Sequence, residues 1–393
     1  MKQVIKLIGI TFIFSLLFAA CRKDGRLVPE SNNISEEADA VAARGSHGDK
    51  HENGPGHVYT LSNQADGNNV LVYRRADNGQ LSFLSSFSAG GNGTGAGLGN
   101  QGAVALTKDG KIVLAVNAGS NTVSSLKVTG NGLNLKSTVS SGGMQPVSVT
   151  VHDDLVFVLN AGGNGNISGF KLLNNGKLQP IANSTRPLSV AAPTGPAQIS
   201  FVRSGKVLVI TEKATNTITT YTVNEWGIPG DMHTTISSSP TPFGFATGKR
   251  GLIFVSEAVG GAPGASVLSS YRIQPTGEIS LVDGSVGAGQ SAACWVVLTN
   301  DGIYAYTTNT GSNNLTSFDV NPFSGDIDLR DAIAATTPAG PIDAALTSNS
   351  KFLYVLNAGG HSISAFTVSA TSSLGSIQTV PGLPAGATGL AAD

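Results

Sequence analysis

Charge is scarce in this chain. Only 12% of its 393 residues are Asp, Glu, Lys or Arg, where ordinary soluble domains carry roughly 25%. Ser, Thr, Asn, Gln and Gly must therefore cover the surface. The formal net charge is −1, which leaves no field to hold nucleic acid or an anionic lipid surface. Cysteine is almost missing. Cys21 and Cys294 are the two, and they are not expected to pair, because Cys21 has another use. Cys294 lies in the apolar run Ala292-Ala293-Cys294-Trp295-Val296-Val297 and reads as a buried, inert thiol. A membrane-spanning run is missing too: residues 7–18 are apolar for about a dozen positions, where a span needs ~20. Histidine is sparse. His152, His233 and His361 have no metal-ligand spacing between them, and no Ser/His/Asp set can be nominated. No metal and no cofactor is expected.

Glycine is abundant, at 50 residues. That implies many turns and few long helices. The stretch GKIVLAVNAGSNTVSSLKVTGNG, residues 110–132, reads as strand, tight turn, strand, tight turn. The same unit returns down the chain. Seven short apolar strands each end at a polar residue: Asn63, Asn117, Asn160, Glu212, Glu257, Asn309 and Asn357. Each is followed by a polar turn, a second alternating strand, a further turn and a weaker strand. A fourth strand precedes six of the seven, at residues 103–107, 147–151, 197–202, 243–247, 293–299 and 342–347. The first unit lacks it, and the matching segment stands at the far end, in Ala387-Thr388-Gly389-Leu390-Ala391. The expected fold is all-β: a seven-bladed β-propeller of four-stranded antiparallel blades over residues 57–393, monomeric, its ring closed by the C-terminal strand joining the first blade.

The N-terminal part has a different character. Residues 1–20 read as an export signal, with Lys2 and Lys6 before a short apolar core and Ala19-Ala20 before the cleavage point. Leu17-Phe18-Ala19-Ala20-Cys21 resembles a bacterial lipobox, which implies that Cys21 is lipidated and anchors the chain to a membrane of the bacterial cell envelope, in the periplasm or at the outer-membrane surface. Residues 21–56 have too few bulky apolar residues to fold and are expected to form a tether.

Strand direction places the site. The starts of the inner strands and the ends of the second strands must share one mouth of the central channel. This nominates Gln101, Gln145, Gln198, Phe243, Trp295 and Asp343 from the first set. Asparagine at the second-strand ends reads as turn chemistry. Glu212 and Glu257 break that pattern and are nominated for acid–base work or for holding a ligand. The long loop at residues 89–100, AGGNGTGAGLGN, lies at the same mouth. No Lys-Ser/Thr and no helix follows it, so it reads as a linker or lid rather than a phosphate cradle.

The unit at residues 195–223, GPAQISFVRSGKVLVITEKATNTITTYTV, resembles the repeats of the lactonase family of seven-bladed propellers, which includes 6-phosphogluconolactonases and carboxymuconate-cyclising enzymes. IVLAVNAGSNTVSSLKV and FLYVLNAGGHSISAFTV are similar to the same repeats and to YVTN propellers. The resemblance implies an active mouth marked by Gly-Pro-Arg-His at one inner strand and Glu at the next strand end. Gly195, Pro196 and Glu212 match; Ala197 and Gln198 stand in the Arg and His positions. Losing a general acid or base forfeits roughly 10²–10⁴ in rate. The expected function is therefore an exported, lipid-anchored binding or interaction module, with a small molecule, neutral glycan or protein loop at a polar mouth lined by Gln101, Gln145, Trp295, Asp343 and Glu257. The alternative is a periplasmic lactonase or cyclase with Glu212 as acid/base and Gln198 as a donor to substrate.

Overall fold

The computed structural model describes residues 54–393. The expected signal peptide, Cys21 and nearly all of the tether lie outside the described residues. Among the described residues no helix is long and apolar enough to cross a membrane.

The described chain forms seven antiparallel sheets, each ordered inner, second, third and outer strand. In six of them these are four strands. The second strands are the apolar ones: Ile112–Asn117, Leu155–Asn160, Val207–Glu212, Leu252–Glu257, Tyr304–Asn309 and Phe352–Asn357, with Gly56–Leu61 in the first blade. Val207–Glu212 is buried at every position. A blade stacks face to face on both neighbours, so both faces of its central strands are covered and the apolar run need not alternate. The core lies in those stacks. Phe157 and Leu159 of the third blade, for example, share a cluster with Ile199, Leu208 and Ile210 of the fourth. Outer strands are the exposed ones: beyond its first residue every position of Pro229–Ile236 is exposed or half-buried.

The third blade departs from the pattern. Its outer strand is in two pieces, Leu178–Pro180 and Arg186–Pro187, both paired with Asn166–Leu172. Pro180 and Pro187 have no N–H to contribute to a ladder. Between the pieces the Ser184 hydroxyl accepts the Gly169 N–H at 2.9 Å in place of a strand carbonyl.

Ring closure is as the sequence implies. Thr388–Ala392 pairs with Gly56–Leu61, with Val58 opposite Ala392 and Leu61 opposite Thr388. The joint has its own polar lock. Buried Arg75 donates through Nε to Asp393 O at 3.0 Å and through Nη2 to Gly54 O at 2.9 Å, and the Asp393 carboxylate accepts the His57 N–H.

Blades are also stitched at the mouth. Asn121, Asn216 and Asn313 sit in the left-handed region, with φ of 56°, 55° and 56°, a conformation asparagine tolerates well. Their side-chain oxygens accept the N–H of Gln145, Thr241 and Gly340 at 2.7, 2.8 and 2.8 Å. Each turn thus holds the start of the following blade. His361 occupies the same turn position in the seventh blade, with φ of 47°.

Candidate functional site: a plugged channel mouth

The inner strands begin opposite the second-strand ends, as strand direction requires: Pro146 faces Asn160, Pro196 faces Glu212, Pro242 faces Glu257, Ala293 faces Asn309 and Pro341 faces Asn357. Each of these five ladders slips just after that pair, so the start of the inner strand bulges. A bulge re-aims the side chains beyond it.

Gln198, Trp295 and Asp343 follow such bulges and are all nearly or fully buried. Gln198 Nε2 donates to Phe245 O at 3.0 Å, and Phe245 N donates back to Gln198 Oε1 at 2.6 Å. Its amide is thus closed on the neighbouring inner strand. Asp343 is 2% exposed. Its Oδ1 accepts the Ala344 N–H at 2.8 Å, while Oδ2 has no hydrogen-bond partner. Burial holds its carboxyl well above the usual range, although the nearby N–H groups of Ala344, Leu390 and Gly102 oppose the shift. Trp295 is buried, and its ring lies 4.9 Å from that of Phe243.

The loop after the first blade closes the mouth. At its end Asn100 and Gln101, both buried, reach across the channel. Asn100 Nδ2 donates to Val147 O, its Oδ1 accepts from Thr388 Oγ1 at 3.2 Å, and its carbonyl accepts from Trp295 Nε1 at 2.7 Å. Gln101 N donates to Ala197 O at 3.0 Å. Its side chain pairs with Val296, Nε2 to O at 3.2 Å and N to Oε1 at 3.4 Å. Two residues thereby touch the first, third, fourth and sixth blades. The fifth makes room with Gly244: a Cβ there would stand 2.1 Å from Gln101 Oε1.

Lys213, which the sequence reading passed over, holds the loop down. Its Nζ donates to Gly99 O at 2.5 Å and Pro196 O at 3.4 Å and lies 4.5 Å from the centre of the Phe243 ring. Burial lowers its pKa to about 8, partly offset by the Cys294 sulfur nearby. A signal was present in the sequence: the residue after the second-strand end is Ala118, Ala161, Ala258 and Ala358 in four other blades, and lysine only here. Cys294 is a buried free thiol whose pKa burial pushes up to about 11.

The two glutamates stand apart from this group. Both are 0% exposed. Glu212 accepts from Ser189 Oγ at 2.6 Å, Thr219 Oγ1 at 2.5 Å and Ser189 N at 3.2 Å. Glu257 accepts from Ser237 Oγ, from Ser269 Oγ at 2.6 Å and from Tyr271 OH at 2.8 Å. Burial raises the Glu257 carboxyl, and these donors oppose the shift. The asparagines do an equivalent job. Asn117, Asn309 and Asn357 donate to Ser124, Thr316 and Ser364, each seven positions on, the spacing from Glu212 to Thr219. Where the connection from the preceding blade offers a carbonyl, as Ser141 O does to Asn160 Nδ2 at 3.1 Å, the strand ends in a donor. Where it offers N–H and hydroxyl, as Ser189 does, the strand ends in a carboxylate. Among the described residues no hydrogen-bond partner of the Glu212 or Glu257 carboxylate comes from an inner strand. Gln145 is exposed on the rim with a φ of 53°. The structure therefore brings Gln101, Gln198, Trp295 and Asp343 into the channel and leaves Gln145, Glu212 and Glu257 outside it. No group of three or more His, Cys, Asp or Glu side chains among the described residues could hold a metal ion.

Seven blades, a strand-closed ring and a loop-covered mouth define a class of propeller, and the family follows from sequence. The model of the lactonase family, described as a seven-bladed β-propeller, matches residues 31–186 and 265–388. The chain belongs to that family. No curated protein matches its sequence significantly. Among solved structures, a Bacteroides fragilis protein provisionally described as a 6-phosphogluconolactonase is similar at TM-score 0.68 and 17% identity, over 86% of this chain and 98% of that one. The periplasmic gluconolactonase of Pseudomonas aeruginosa is similar at TM-score 0.66 and 16% identity, over 85% and 98%. A protein of unknown function from Desulfotomaculum acetoxidans is similar at TM-score 0.67 and 16% identity, over 86% and 98%. At these identities the likeness is one of fold.

Proposed function

We propose that this chain is an exported, lipid-anchored lactonase-family propeller that binds a ligand at its channel mouth and does not carry out lactone chemistry. One observation carries this reading: the Glu212 carboxylate is sealed, at 0% exposure, among the donors of Ser189 and Thr219. A general acid or base must come within hydrogen-bond reach of the proton it moves. Gln198, the other nominated group, has both ends of its amide bonded to Phe245, and the Arg and His that the family resemblance calls for are Ala197 and Gln198.

The test is a panel of lactones, including glucono-1,5-lactone and its 6-phosphate, offered to the purified mature chain. The expected result is no turnover above the buffer rate. Turnover that disappears in Glu212→Gln while the fold is kept overturns the reading in favour of a hydrolase. The envelope address has its own test. Replacing Cys21 by Ser is expected to move the protein from the membrane to the soluble fraction of bacterial cells and to abolish labelling by palmitate.

A further inference from the structure

The plug has the chemistry of a ligand. Residues 90–102 include seven glycines, so the loop has few side chains to pack. Backbone bonds tie residues 91–95 to Asn63, Gln64, Asn68 and Gly119, Leu98 packs against the core, and side chains hold the loop at two points. At one, Asn63 donates to Ala96 O at 2.6 Å and accepts the Thr94 N–H at 3.0 Å. At the other, Lys213 holds Gly99 O. Beyond Lys213 the chain turns into the channel, and there each contact of Asn100 and Gln101 is one that a small molecule could make.

If those two residues withdrew, they would uncover the carbonyls of Val147, Ala197 and Val296 and the donors Trp295 Nε1, Thr388 Oγ1 and Val296 N. Gly102, the next residue, has its N–H beside Asp343, whose Oδ2 is already without a partner at 2% exposure. We propose that the channel mouth is a binding site for a neutral, amide-bearing saccharide, occupied in this structure by the chain's own Asn100 and Gln101, with Lys213 as the latch that keeps them in place. This rests on the binding reading above.

The chemical class follows from the exposed groups. An anion would face several backbone carbonyls and Asp343. A cation would face Trp295 Nε1 and Lys213. Neutral donors and acceptors fit both sets. At Val296 the Gln101 carboxamide uses donor and acceptor together; an acetamido group, whose N–H and C=O point apart, carries the same donor and acceptor and offers them to separate partners among the uncovered carbonyls and donors. Trp295 and Phe243 supply the apolar wall that such sites need to exclude water. A ligand that must displace the plug binds with an affinity reduced by the fraction of molecules already open. Loosening the latch therefore tightens binding.

The chain has two tryptophans, and Trp226 is 72% exposed. In a Trp226→Phe background Trp295 alone reports on the plug. In that background the mature chain is expected to resist acrylamide quenching. Lys213→Met and Gln101→Ala are each expected to raise the quenching constant at least threefold with unchanged circular dichroism. Lys213→Arg, which keeps a cationic donor, is expected to behave like the parent. Titrated with N,N′-diacetylchitobiose and followed by Trp295 emission, Lys213→Met is expected to bind at least fivefold more tightly than the parent, and gluconate is expected not to bind. Equal shielding of Trp295 in the parent and both folded variants overturns the plug. Preference for gluconate, for a glutamine-bearing peptide, or for none of the probes in the quenchable variants overturns the ligand class. Lactone turnover would overturn the binding reading and leave the Trp295 quenching result unaffected, so the two failures are separable.

Discussion

Ser189 donates its hydroxyl to Glu212 Oε2 at 2.6 Å, and its backbone N–H lies 3.2 Å from Oε1 of the same carboxylate. A residue in the connection leaving the third blade is thus tied to the strand end of the fourth. The bond makes Glu212 a joint between blades. Replacing Glu212 by Gln puts an NH₂ among donors. Hydrogen bonds to charged groups contribute roughly 1.5–3 kcal/mol each, so we expect a loss of about 2–4 kcal/mol, read as a lower urea midpoint at unchanged slope. Ser189→Ala should lose less, because the backbone N–H remains. A variant as stable as the parent would contradict the joint.

Asp343 makes stability depend on pH with a definite sign. Its folded-state carboxyl titrates well above 3.8, chiefly through burial. The unfolded chain therefore ionises first as pH rises, and the group's contribution to stability declines from about pH 4 upward. Asp343→Asn removes the ionisation. The variant is expected to match the parent near pH 4 and to melt at a higher temperature at pH 7. Thermal melts from pH 4 to 8 check this, and a variant that is less stable at pH 7 would refute it.

The ring should open at its closing joint. Arg75 is 3% exposed and holds Asp393 O and Gly54 O. Arg75→Met keeps an unbranched apolar stem and removes the donors, together with the guanidinium that lies 5.7 Å from the centre of the Phe352 ring. We expect a loss of about 2–4 kcal/mol, as for removal of a buried hydrogen-bonded charge. Hydrogen exchange should quicken first in Thr388–Ala392. Uniform quickening across all blades would place the weak point elsewhere.

Cys294 should be silent to thiol reagents until the chain unfolds. With the thiol pushed up to about 11, the thiolate fraction at pH 8 falls about 100-fold below that of a free cysteine, and burial slows attack further. Reaction with an aromatic disulfide is expected to track global unfolding in urea. Rapid labelling of the native protein would show that the sixth blade opens locally.

Strand repetition was legible in the sequence because each blade is a local unit. Val207–Glu212 and Ile112–Asn117 show their apolar runs and terminal polar residues without reference to any other blade. The direction of the strands then placed the mouth. The glutamates were harder. In sequence they looked like exceptions to an asparagine rule, but their meaning depends on Ser189 and Ser237, which lie some twenty residues upstream in connections of no regular pattern. Asn100 and Gln101 closed a loop read as linker or lid. That they fill the channel depends on Val147, Ala197, Trp295 and Thr388, which converge only when the ring closes.

The sequence by itself therefore determined the blade count, the strand-swapped closure by Ala387-Thr388-Gly389-Leu390-Ala391 and the end of the ring that the inner-strand starts share with the second-strand ends. These follow from local periodicity and strand direction. Tertiary structure alone decided which polar groups face the channel. The bulge at each inner-strand start re-aims Gln198, Trp295 and Asp343 inward, and contacts between distant blades set Lys213 on Gly99 and draw the Glu212 carboxylate onto Ser189.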